Sequence, residues 1–285
     1  PQPVEIIHSH FQLGNLAGIW LKRRKKTVFA CRTAHITHEW GDGLLARFLR
    51  WSINGWVYPR YLDAEAGVSP AACAYLDARP GRLRKSVFIP NAVPNLYPVA
   101  DPIDTDRFPG EIPIGFIGRL TGQKDLPTLL AAFSMVKINI PNLTLDIVGD
   151  GPLRGSLQKF SGDLGISASV RFFGVVPDPR ALLSSWRVLV LPSHYEGLPT
   201  VALEALAYGI PVIGSDIPGT RDLIQPGDNG WLFPPGVAAA LAGLIRQAVS
   251  DLDQLRRMAP VCRESAASYN IDEIARQYIR SFYPS

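Results

Sequence analysis

Two glutamates eight positions apart, Glu196 and Glu204, lie in a segment that is otherwise largely apolar, Leu198-Pro199-Thr200-Val201-Ala202-Leu203-Glu204-Ala205-Leu206-Ala207. A carboxylate inside an apolar helix is costly unless something polar pairs with it. Sugar hydroxyls would serve at Glu204, and so would a nearby arginine. A second group of residues carries positive charge. Gly118-Arg119-Leu120-Thr121-Gly122-Gln123-Lys124-Asp125 follows the apolar run Ile112–Ile117. The glycine permits close approach of a ligand, and two cations next to a starting helix suit an oxyanion. The G-x-x-x-x-G-K-[ST] spacing of a nucleotide-triphosphate loop is absent. A third turn, Gly149-Asp150-Gly151-Pro152, places proline at a first helical position.

These turns need strands before them and helices after them, and the patterning supplies both. In the second half, apolar runs at Ile112–Ile117, Leu143–Val148, Val170–Phe173, Val188–Leu191, Pro211–Gly214 and Gly230–Phe233 are predicted strands. Segments at Asp125–Lys137, Pro152–Leu164, Pro179–Ser185, Pro199–Tyr208, Thr220–Ile224 and Val237–Ser250 are predicted helices. The first half alternates less regularly, with strands at Val4–His8, Thr27–Arg32, Ala66–Ser69 and Ser86–Ile89. Its helices are predicted at Leu13–Lys22, Leu44–Tyr58 and Pro70–Asp77. Strands separated by helices favour parallel crossovers, and uninterrupted apolar strands suit a sheet covered on both faces. In such sheets ligands bind beyond the C-terminal ends of the strands, where the three turns lie. A polar, proline-rich stretch near residues 91–109 reads as a linker.

Composition agrees with this reading. The chain has 285 residues, 47% hydrophobic and 19% charged, enough for two modest folded domains and wrong for a disordered chain. The longest apolar runs have strand length, short of a bilayer span. Three scattered cysteines, Cys31, Cys73 and Cys262, form no disulfide framework. Residues 1–108 hold 14 Lys and Arg against 9 Asp and Glu, and the remainder holds 15 against 16. The excess positive charge of the first part points to an acidic partner there. It peaks at Lys22-Arg23-Arg24-Lys25-Lys26, which reads as a cationic helix end or as a contact with anionic membrane or a lipid phosphate. No nucleic-acid-binding motif accompanies it.

The Glu-x7-Glu segment resembles the signature of retaining glycosyltransferases of GT-B fold, glycosyltransferase family 4, the glycosyl transferases group 1. Gly118-Arg119-Leu120 with Gln123-Lys124-Asp125 is similar to that family's G-R-L-x-x-x-K-(G/D). Leu145–Pro152, Phe172–Val176 and Gly209–Gly219 resemble further family stretches, as does Phe88–Val93 with Ala92 replacing the usual glycine. In the first half, His8-Ser9-His10 and Thr33-Ala34-His35 match more loosely. The glycine-rich loop that opens a family member precedes the H-x-H, so the resemblance is to a front-truncated one.

The resemblance implies an α/β GT-B fold with two doubly wound Rossmann-like domains facing a cleft, the first incomplete. Residues 1–108 would form the partial acceptor-side domain with its linker. Residues 109–268 would bind the nucleotide sugar, and a helix over 269–285 would pack back on the first domain. The activity implied is transfer of a sugar from a nucleotide-diphosphate sugar, UDP favoured over GDP, to a glycan or lipid-linked acceptor. No metal or other cofactor is implied, and the setting is cytoplasmic polysaccharide or glycolipid assembly, with peripheral membrane contact through Lys22–Lys26. A non-catalytic nucleotide-sugar-binding fragment is the alternative. Carried over residue by residue, Glu204 would hold the ribose hydroxyls and Glu196 the transferred sugar. Arg119 and Lys124 would stabilise the departing diphosphate. Gly118 and the helix start at Gly197, Leu198 and Thr200 would meet the phosphates, and backbone near Val175 would meet the base. His35, in preference to His38, would contact the donor sugar.

Overall fold

Short apolar runs alternating with amphipathic segments fold as two parallel sheets. The computed structural model describes residues 6–10, 19–20, 29–34, 52–78, 86–94 and 110–282. The chain divides into one unit of Pro1–Asn91 with Ile271–Ser285 and a second of Ala92–Asn270.

The first unit carries a four-stranded parallel sheet in sequential order, β1 (Ile6–His10), β2 (Phe29–Ala34), β3 (Ala64–Gly67) and β4 (Val87–Phe88). A π-helical turn at Ile53–Val57 runs into α1 (Tyr58–Tyr61), so the helical segment ends three residues later than the pattern predicts. Strand β3 begins and ends two residues earlier than expected. The reason is Ser69, whose side chain accepts from the Ala72 amide at 3.1 Å and starts α2 (Pro70–Asp77) with Pro70 at the first helical position. The last helix of the chain, named α10 below, belongs to this unit. Thr33 Oγ1 lies 2.9 Å from His8 Nε2 and 3.0 Å from the hydroxyl of Tyr278 on that helix.

The second unit is a six-stranded, all-parallel sheet. In chain order it comprises β5 (Ile112–Ile117), α3 (Leu126–Lys137), β6 (Leu143–Val148), α4 (Arg154–Asp163), β7 (Val170–Gly174), α5 (Arg180–Leu183), β8 (Leu189–Leu191), α6 (Thr200–Ala207), β9 (Val212–Ser215), α7 (Pro218–Arg221) and β10 (Gly230–Phe233). Helices α8 (Ala238–Ser250) and α9 (Leu252–Ala267) follow, then α10 (Ile271–Phe282). The strand order is β10-β9-β8-β5-β6-β7. Chain direction across the sheet therefore reverses between β5 and β8, and this is the topological switch point where such sheets take ligands.

Packing defines that switch. Trp186, just before β8, is fully buried, and a Cβ at Gly115 in β5 would lie 2.1 Å from its ring. Only a glycine lets the indole press on β5 at that point. The indole N–H donates to Asp146 Oδ2 at 2.9 Å, and Asp146 Oδ1 accepts from Arg171 Nε at 2.6 Å. A fully buried acid is thus paired and hydrogen-bonded, the condition under which such a group is tolerated. Helix α7 starts earlier than predicted because Pro218 takes its first position, while the buried Thr220 hydroxyl donates to the carbonyls of Ser215 and Ile217.

None of the three cysteines is in a disulfide. Burial pushes the thiols of Cys31 and Cys262 up to about 12, which makes both inert near neutral pH. Among the described residues no helix is long and apolar enough to cross a membrane. The run Lys22–Lys26 lies outside the described residues.

Candidate donor-binding site at the switch point

The switch brings together two turns that are 72 residues apart in sequence. Strand β5 ends at Ile117 and leads through Gly118 into a 3₁₀ turn at Gly122–Lys124. Strand β8 ends at Leu191 and leads through Ser193 to Glu196. Lys124 Nζ donates to Glu196 Oε1 at 2.5 Å, with the two side chains 16% and 9% exposed. Ser193 Oγ donates to the same oxygen at 2.7 Å. Backbone and amide contacts brace the pair. Gln123 Nε2 donates to the Tyr195 carbonyl at 2.8 Å, and the His194 amide donates to the Gln123 carbonyl at 2.9 Å.

Two further close approaches fix the turns. A Cβ at Gly149 would lie 2.0 Å from the Gly118 carbonyl oxygen, so the ends of β5 and β6 meet only through glycine. A Cβ at Gly219 would lie 2.6 Å from the Glu196 carbonyl oxygen and 2.5 Å from that of Gly197, so the turn after β9 backs the acidic loop. Asp125 follows Lys124 with φ 41°, in the left-handed region that glycine adopts at lower cost. Its Oδ2 is buried without a hydrogen-bond partner among the described residues and lies 3.7 Å from His194 Nε2.

The Arg119 side chain is exposed and makes no ion pair or hydrogen bond among the described residues. Helix α6 begins at Thr200 after Pro199, with no side-chain cap. Its first amides therefore take no acceptor from a capping side chain, and the positive end of its dipole lies at Thr200. Leu198 is buried, and Val175, beyond the end of β7, is 77% exposed.

Glu204 sits one turn into α6, amid the buried Ala202, Leu203, Ala205 and Leu206. Burial holds its carboxyl above the ordinary glutamate range. No hydrogen bond or ion pair to it exists among the described residues. Instead it borders a cavity of about 320 Å³ shared with Tyr208, Pro177, Arg180, Val93 and Pro94. The arginine on the cavity wall is already committed, since Arg180 Nε and Nη2 lie 2.6 and 2.5 Å from the Asp178 carboxylate. Of the two kinds of partner open to Glu204 in the sequence, no arginine among the described residues fills the role.

The structure brings Gly118, Arg119, Lys124, Glu196, Gly197, Leu198, Thr200 and Glu204 into one unit. His35 and His38 lie outside the described residues. Nothing in the sequence pattern marks Ser193 or Gln123 as part of the site. The one signal for Ser193 is its place three residues before Glu196. Among the described residues no group of three His, Cys, Asp or Glu side chains is placed to hold a metal ion. Asp251 caps α9, accepting from the Gln254 amide at 2.8 Å, and Asp253 pairs with Arg256 at 3.1 Å.

Comparison with known proteins assigns a class to this arrangement. The fold is the two-domain α/β GT-B type. Anabaena HepE in complex with UDP-glucose superposes with a TM-score of 0.85 at 20% identity, over 97% of this chain and 78% of that one. Sucrose-phosphate synthase from Thermosynechococcus elongatus gives a TM-score of 0.80 at 27% identity, over 96% of this chain and 72% of that one. The family follows from sequence. The signature of the glycosyl transferases group 1 matches residues 102–264, more than half of the chain, and the chain belongs to that family. The lipopolysaccharide core biosynthesis glycosyltransferase LpsE of Rhizobium meliloti is 32% identical over 176 residues, 61% of this chain and 49% of the relative. The lipopolysaccharide 1,6-galactosyltransferase of Salmonella typhimurium is 35% identical over 142 residues, 47% of this chain and 39% of the relative. The matched region thus spans half or less of the length of these two relatives.

Proposed function

We propose that the chain binds a nucleotide-diphosphate sugar at the β5–β8 switch and transfers the sugar, with retention of configuration, to a glycan or lipid-linked acceptor. The observation that carries this reading is the contrast between the two glutamates. Glu196 is held by Lys124 and Ser193, whereas the half-buried Glu204 presents at a cavity a carboxylate with no hydrogen-bond partner among the described residues. Ribose hydroxyls would supply the donors that Glu204 lacks, in charge-assisted hydrogen bonds. The cavity of about 320 Å³ beside it would take the nucleobase, next to the backbone around Val175.

The diphosphate would then reach the start of α6 and the two cations. Departure of the nucleoside diphosphate builds negative charge on the leaving oxygen. Arg119, and Lys124 once drawn from Glu196 to the bound diphosphate, would stabilise it in the position a divalent ion fills in other enzymes. Glu196 would hold hydroxyls of the sugar being moved. His35, next in sequence after β2 and outside the described residues, is proposed to contact that sugar. The UDP-glucose of the HepE complex and the sugar transfer named for the lipopolysaccharide enzymes support a nucleotide-sugar donor, with UDP favoured over GDP.

Incubation with a panel of UDP- and GDP-sugars tests the reading. Transfer to an added acceptor, or slow hydrolysis of one donor with release of nucleoside diphosphate, is the expected result. Saturable binding of the nucleotide with no turnover of any donor would restrict the chain to binding alone. No binding of any nucleotide would refute the site.

A further inference from the structure

We propose that Ser193 is a positioning residue for Glu196, fixing its carboxylate when Lys124 turns toward the diphosphate of a bound nucleotide sugar; this inference rests on the donor site proposed above. Ser193 is fully buried, and its hydroxyl donates its proton to Glu196 Oε1 at 2.7 Å. Lys124 donates to that same oxygen at 2.5 Å. The other oxygen, Oε2, makes no hydrogen bond among the described residues, and the side chain keeps 9% exposure. Both donors thus converge on one oxygen, and its twin takes no donor from the described residues, which leaves it to a ligand hydroxyl in this reading.

The two donors differ in what they can do next. Lys124 carries a mobile charge on a long stem, and a diphosphate competes with Glu196 for it. Ser193 is neutral, short and buried, and a diphosphate does not draw it away. Once the donor is bound, the serine is the contact that still orients Glu196 for the sugar. Removing it should not loosen the loop itself. The loop backbone is tied to Gln123 through the Tyr195 carbonyl and the His194 amide, at 2.8 and 2.9 Å. From behind it is backed by Gly219.

The separation of these roles makes the inference testable. Ser193→Ala should weaken binding of the nucleotide sugar about tenfold, the size of a lost hydrogen bond to a charged group. Binding of the nucleoside diphosphate alone should stay within about twofold, because the phosphate-facing amides of α6 do not depend on the hydroxyl. Calorimetry would use UDP with UDP-glucose, or GDP with GDP-mannose, whichever pair the unmodified chain binds. In a Glu196→Ala background the serine substitution should cost nothing further, which a double-mutant cycle reads directly. Equal losses for nucleotide and nucleotide sugar would show that Ser193 only builds the loop, and would overturn the inference while leaving the donor site intact. An unchanged nucleotide-sugar affinity, or a full loss persisting in the Glu196→Ala background, would overturn it too. Failure of the unmodified chain to bind either pair would remove the donor site and this inference with it.

Discussion

Replacement of Arg119 and Lys124 by alanine together is expected to reduce sugar transfer by about 10³-fold or more, with a much smaller loss of nucleotide-sugar affinity. A preorganised donor aimed at charge that develops in the transition state is worth about 10²–10³ in rate. Two such groups acting on one leaving phosphate will not add fully, which sets the lower figure. The two cations start from different states. The Arg119 side chain is exposed and makes no ion pair or hydrogen bond among the described residues, so Arg119→Ala removes no such contact and the rate it loses is assigned to the chemistry. Lys124 is paired with Glu196 at 2.5 Å, so its removal also leaves a carboxylate with one donor fewer. Melting temperatures measured beside single-turnover rates separate the two effects. Full rates in the double variant would refute the leaving-group assignment.

Glu204→Ala is expected to lower nucleoside diphosphate affinity by about 100-fold, from the loss of charge-assisted bonds to two ribose hydroxyls. The same position carries a stability effect of opposite sign. Burial raises the folded-state pKa of Glu204, with no compensating cation among its causes. Between the ordinary glutamate range and the raised value, the folded state holds more protons than the unfolded one. Stability of the nucleotide-free chain therefore falls as pH rises through that window, and the cost is fully present above it. Glu204→Gln should remove this dependence and melt higher than the unmodified chain at neutral pH. Nucleotide binding needs the ionised form, so affinity in the unmodified chain should fall as pH drops through the raised pKa. Calorimetry and thermal melts across pH check both. A Glu204→Gln chain that melts lower at neutral pH would mean that the carboxylate has a structural partner instead of a ligand.

Parts of this site are legible in the sequence, and the reasons differ from residue to residue. Strands β5, β6 and β10 and helix α2 occupy the spans the pattern predicts, because glycine and proline turns bound them. Strand β3 is displaced by two residues from its expected place, since the apolar pattern runs on into Ser69 while the serine hydroxyl caps the following helix. Helix α7 differs because Pro218 starts it, two residues before the expected start at Thr220. Glu204 stands out because a charge in an apolar helix violates the local pattern. The contact between Lys124 and Glu196 cannot be read in the same way. It requires β5 and β8 to be neighbours, and alternation of strands and helices does not specify strand order. Gln123 has no distinguishing pattern, and Ser193 has only its place three residues before Glu196. A serine or glutamine in a polar turn becomes informative only when its partner across the sheet is known.

Everything proposed for the donor site follows from completion of the half-buried carboxylate at 204 by the ribose of an activated sugar. A crystal soaked with UDP, and another with GDP, would decide the matter. The expected result is one of the two nucleotides seated in the cavity beside Tyr208, its ribose hydroxyls within hydrogen-bond distance of Glu204 and its phosphates at the start of α6. A nucleotide bound elsewhere on the chain, or a ribose seated there with the Glu204 carboxylate turned from it, would contradict the proposed site.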